Sequence, residues 1–112
     1  MNISYEGIGE LVVTVPAGTC KEGQICKIGL QGKADICPAN DKFCGLVLAV
    51  ENGMAAVQVG GFVTVGFSGT KPLPGYVTLA GDGAGNVTQN SAGREYLVVY
   101  SSQETMTATI KL

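Results

Sequence analysis

The sequence predicts an all-β fold: a single compact β-barrel or sandwich of about eight to ten short antiparallel strands, with an extended N-terminal arm. Three observations carry this. Seventeen glycines and four prolines punctuate a chain of 112 residues. Between them lie short alternating or β-branched runs at the intervals typical of sandwiches and barrels. No window carries an apolar stripe at helical spacing. The length fits one domain with a real core, placed at residues 11–112, with residues 1–10 as the arm.

Taken in order, the arm "MNISYEGIGE" has two glycines and weak patterning. Its apolar side chains Ile3, Tyr5 and Ile8 are candidate contacts to a neighbouring subunit or surface. The first strands are expected at Leu11–Val15 and Ile25–Gly29, with a short one at Lys33–Cys37. Leu46–Glu51 and Met54–Val59 flank Asn52-Gly53, a dipeptide that accepts positive φ at both centres of a type I′ turn, so they should pair as a hairpin. Gly60-Gly61 is expected to be the next corner, with Phe62–Phe67 returning beside the hairpin as the third strand of a meander. Tyr76–Ala80, a short piece at Asn86–Gln89, and Tyr96–Ser101 follow. In Thr105–Leu112 the threonines and Lys111 share one face, while Met106, Ala108, Ile110 and Leu112 share the other, so the chain end should be paired into a sheet.

Composition narrows the function. Hydrophobic residues make up 46% of the chain and charged residues 14%, against a usual charged share of about 25%. Apolar surface should therefore remain after folding, and such surface marks interfaces. The net charge is −2 with no Lys/Arg cluster, which argues against a nucleic-acid partner. No run approaches the roughly 18–20 apolar residues of a membrane-spanning helix, so no membrane partner is expected. The first residues lack the basic and apolar regions of a signal peptide, which predicts a soluble chain made in the cytoplasm.

The chemistry is sparse. Histidine is absent, removing the commonest general base and metal ligand, and the serines have no candidate partner for a triad. The carboxylates are scattered over turns and strand ends. "GDGAGN" (residues 81–86) lacks the following helix of a phosphate loop and the spaced carboxylates of a calcium loop, and reads as a flexible turn. No enzyme activity, cofactor or metal is expected. Cys20, Cys26, Cys37 and Cys44 lack a C-x2-C pair. They read as buried, reduced, structural thiols, with disulfide staples and metal binding as the alternatives.

The segments "PAGTCKEGQ", "CGLVLAV", "VQVGGFVTV", "GYVTLAG" and "ATIKL", in that order, resemble the small phage capsid-cement, or head-decoration, proteins over about residues 12–112. The resemblance implies a structural phage or prophage virion protein without catalysis, which binds the outer capsid surface and reinforces the head lattice. Its partners would be the major capsid protein and copies of itself, with a trimer favoured. Its location would be the virion surface, after synthesis in the host bacterial cytoplasm. The other reading is a small β-barrel ligand- or peptide-binding module of a bacterial assembly. Asn52, Gly53, Gly60 and Gly61 are the structural turn residues on which the strand order rests.

Overall fold

The computed structural model describes residues 10–112, so Ile3, Tyr5 and Ile8 lie outside the described residues. Ten strands run in chain order: β1 (Leu11–Pro16), β2 (Ile25–Ile28), β3 (Ala34–Ile36), β4 (Gly45–Glu51), β5 (Met54–Gly60), β6 (Phe62–Gly66), β7 (Gly75–Gly81), β8 (Val87–Gln89), β9 (Arg94–Ser102) and β10 (Thr107–Lys111). They form two antiparallel sheets of five, ordered β1-β5-β4-β2-β3 and β6-β10-β9-β7-β8. The all-β class and nearly every expected strand are present.

Neither sheet closes into a barrel. In each, the residue after the first strand makes one parallel bridge to the short third strand, Ala17 to Ala34 and Phe67 to Val87. Asn52 and Gly53 have φ of 53° and 75°, the left-handed pair of a type I′ turn, and β4 and β5 pair up to Glu51↔Met54. The expected meander is not formed. β6 pairs with β10, not with β5, and Gly60-Gly61 is where the chain leaves one sheet for the other. Gly61, at φ 83°, redirects the backbone, and its carbonyl accepts the Leu112 amide at 2.9 Å. The hydrophobic alternation of Phe62–Phe67 specifies a strand but not its neighbour, and the equally alternating C-terminal strand takes the place.

The two halves share one plan. Numbering the strands of each half one to five, both sheets read 1-5-4-2-3. The registers also coincide: Ile25↔Leu46 in the first sheet answers to Tyr76↔Leu97 in the second. Val47 pairs with Val57 as Val98 pairs with Ile110, and beside each pair the ladder slips, at Leu48 and at Val99. A bulge bends a strand and increases its local twist, so the same bend recurs at the same place in both sheets.

Two cores result. Val47, Val57, Ala55, Cys26 and Ala34 line the inner face of the first sheet and are capped by Cys20. The inner face of the second sheet supplies Val63, Val65, Leu79, Tyr96, Val98 and Ile110, and its mouth is closed by Ile25, Leu46 and Phe43 from the first half. Phe43 stacks on Tyr96 with ring centroids 4.6 Å apart, and the Tyr96 hydroxyl donates to the Phe43 carbonyl at 3.0 Å. The apolar packing that joins the halves is thus the outer face of one sheet seated on the inner face of the other.

Candidate functional site

Two places stand out on this scaffold: a set of packed thiols and a spread of uncovered apolar surface.

The thiols meet where β2 and β4 begin to pair. Cys26 is in register with Gly45, yet the Cys44 amide also donates to the Cys26 carbonyl, at 2.9 Å. Two residues therefore oppose one, as in a bulge, and this turns Cys44 toward the same interior as Cys26. Gly45 is required here, because a Cβ at this position would run into the backbone of Gln58. Cys20 arrives from the β1–β2 connection, its thiol donating to the Ile25 carbonyl at 3.3 Å. All four cysteines are free.

The Cys26 thiol hydrogen-bonds to both Cys20 and Cys44, which, with burial, raises its own pKa well above the ordinary value. The same bond stabilises the Cys44 thiolate and lowers Cys44 to about 7 against the opposing effect of burial. Cys44 is also the only one of the four that is not fully buried, so it is the reactive thiol of the set. Cys37 lies apart in the second core, where burial raises it to about 11. Among the described residues, no group of three or more Cys, Asp or Glu side chains is arranged to hold a metal ion.

The Gly81–Asn86 loop is more tightly held than its composition suggests. The Asp82 carboxylate accepts the amides of Ala84 at 2.7 Å and Asn86 at 3.1 Å, and the Ser68 hydroxyl at 2.8 Å. Burial opposes ionisation of Asp82, but these donors outweigh it and hold the carboxyl below its usual range. Gly81 and Gly85 carry the loop's hydrogen bonds back to Asn40, Asp41 and Ile25 of the first half. It is a clamp between the halves, not a loose turn. The exposed ion pair Lys27–Asp41 joins β2 to the β3–β4 connection, and solvent screening leaves such a pair little weight.

Besides Ile28 and Leu30 at the β2–β3 turn, Leu48 in β4 and Met106 before β10, the uncovered apolar surface includes two groups of residues. Leu11, Val12, Val13, Val50 and Met54 are exposed around β1 and the β4–β5 tip. Tyr76 and Tyr100 on the second sheet and Leu73 in the β6–β7 connection are exposed, and Tyr76 and Leu73 line an open groove of about 810 Å³ together with Thr78 and Gln89. Of the turn residues singled out in the sequence, Asn52 and Gly53 set the tip of the first area and Gly60 and Gly61 set the passage between the sheets. Sequence reasoning missed Tyr76 and Tyr100 as surface residues, because a tyrosine in a β-branched run reads as core. Compared with models of known protein families, with curated proteins and with solved structures, the chain matches none.

Proposed function

We propose that this is a structural virion protein of a phage or prophage, which binds the outer surface of the capsid and reinforces the head lattice without catalysis. The observation that carries the reading is the pair of uncovered apolar areas, on opposite halves of a scaffold whose polar groups are occupied with holding the fold. Asp82 is spent on its own loop, and no buried side-chain nitrogen or oxygen among the described residues lacks a partner. Such a molecule is suited to lying between other surfaces, and many weak contacts gain strength when repeated over a lattice.

The cement-like segments support it by where they fall. "CGLVLAV" is β4 with its bulge, "VQVGGFVTV" spans the passage from β5 to β6, "GYVTLAG" is β7, and "ATIKL" ends in β10. In this reading the fold is one compact unit, residues 1–10 serve as an arm to a neighbour, and the protein acts as an oligomer, a trimer favoured, on the virion surface. The test is co-sedimentation with heads assembled from a phage major capsid protein found in the same genome. Saturable binding that raises the temperature at which the heads rupture is expected. Heads that pellet without it overturn the reading. The groove at Leu73 and Tyr76 favours one second reading, a peptide- or ligand-binding module, and a protein that binds peptides in that groove while ignoring heads would establish it.

A further inference from the structure

Three thiols of the first half meet at one spot, and they differ in how far they are covered. Cys20 and Cys26 are 3% and 0% exposed in the core of the first sheet, and Cys44 packs against the same cluster while staying partly exposed. Packing as a small hydrophobe accounts for Cys37, which is 0% exposed in the other core. It does not account for a partly exposed thiol hydrogen-bonded to a fully buried one.

The backbone holds that pair together. The Cys44 amide donates to the Cys26 carbonyl at 2.9 Å, while Cys26 is in register with Gly45, so Cys44 and Gly45 both oppose Cys26 and the two thiols share one side of the ladder. A disulfide spans Cα atoms about 4.4–6.8 Å apart, and residues opposed across an antiparallel ladder fall at about 4.5–5.5 Å. Accessible thiols that ionise readily beside a second cysteine are the ones oxidants take first, and Cys44 is lowered to about 7.

We infer that Cys44 is an oxidation site for hydroperoxides and that Cys26 resolves it, leaving a Cys26–Cys44 disulfide. The Cys44 thiolate attacks one oxygen of hydrogen peroxide. An S–O bond forms, the O–O bond breaks, sulfur gives up two electrons, and the second oxygen leaves as hydroxide, which takes up the proton Cys44 had released. The Cys26 sulfur then attacks the Cys44 sulfur of the sulfenic acid, and the S–O bond breaks as the hydroxide leaves with the Cys26 proton as water. Two thiols and one peroxide thus give one disulfide and two waters. The bond closes the segment that carries β3 and Phe43, whose ring stacks on Tyr96, so oxidation staples a segment through which the halves touch. The inference is independent of the capsid reading.

The deciding experiment uses the folded wild-type chain. It is treated with a slight molar excess of hydrogen peroxide, remaining thiols are blocked with N-ethylmaleimide in denaturant, and tryptic peptides are mapped without reductant. Cleavage after Lys21, Lys27, Lys33 and Lys42 puts each cysteine on its own peptide. The expected result is loss of two of the four free thiols, a dithiothreitol-reversible cross-link between the Cys26 and Cys44 peptides, and a free Cys37. Cys26→Ser, or Cys26→Ala should the first fail to fold, is expected to accumulate the Cys44 sulfenic acid, read as about a tenfold gain in dimedone labelling at Cys44 over wild type. A wild type that keeps all its thiols overturns the inference, as does a cross-link that leaves out Cys44 or oxidation of Cys44 straight to the sulfinic acid. Dimedone labelling of the folded variant no higher than wild type overturns the role of Cys26.

Discussion

Asn52 and Gly53 place two consecutive residues in the left-handed region with open space around the Gly53 Cα, so a side chain at Gly53 meets backbone strain and nothing else. Gly53→Val is expected to cost about 1–3 kcal/mol, the range for a strained backbone site. Gly83 has φ of 86° and lies against Ala39, in a loop clamped by Asp82, so Gly83→Val should cost a comparable amount. Urea denaturation of both variants checks this, and a neutral Gly83→Val would mean the clamp yields. The thiols give a second expectation at this scale. With Cys44 lowered to about 7, iodoacetamide should label it first, at a rate that rises as pH passes through 7 and levels off above it, while Cys26 and Cys37 stay unlabelled in the folded protein. Cys37, raised from 9.0 to about 11, is neutral when folded and ionised when unfolded over that interval. Its contribution to stability is complete below pH 9 and declines as pH rises toward 11, which equilibrium unfolding across that range would show as a falling midpoint absent from Cys37→Ala.

At the scale of elements, the Phe43–Tyr96 contact joins the β3–β4 connection of the first half to β9 of the second. Tyr96→Phe keeps the stacked ring but strips the buried Phe43 carbonyl of its donor, at an expected cost of about 1–3 kcal/mol for an unsatisfied buried group. Differential scanning calorimetry measures it, and an unchanged midpoint would show that the hydroxyl is dispensable. The strands themselves were legible because alternation, β-branching and the Asn52-Gly53 signal act within a few residues. β4, β5, β7 and β10 lie within a residue or two of where the pattern puts them. Partnership was not legible. Nothing in "FVTVGF" distinguishes a neighbour in β5 from one in β10, since either would bury Val63 and Val65 equally well. The repeat was hidden for a related reason: its counterparts preserve shape and pairing, not identity. Gly45 answers to Tyr96 and Ala49 to Tyr100, so the two halves are alike in register while "GLVLAVE" and "YLVVYSS" share little more than a leucine and a valine.

For the whole molecule, the sites followed the same division. Low charge and a surplus of apolar residues announced exposed apolar surface, but its position depends on which face each sheet buries. That is decided by the way the halves seat on one another, which no local pattern encodes. The passage at Gly60-Gly61 also has a mechanical consequence. Leu11 is in register with Gly60, and Phe62 with Lys111, so the two ends of the described chain sit on either side of this passage. Tension applied to both ends would travel by a short route, from Leu11 across one ladder to Gly60, through Gly61 to Phe62, and across the other ladder to Lys111. Along that route rungs break singly, like a zip opened from its end, and never in parallel. A load spread over the faces, by contrast, compresses both cores and leaves the ladders intact. The architecture is soft when pulled by its ends and stiff when pressed between surfaces.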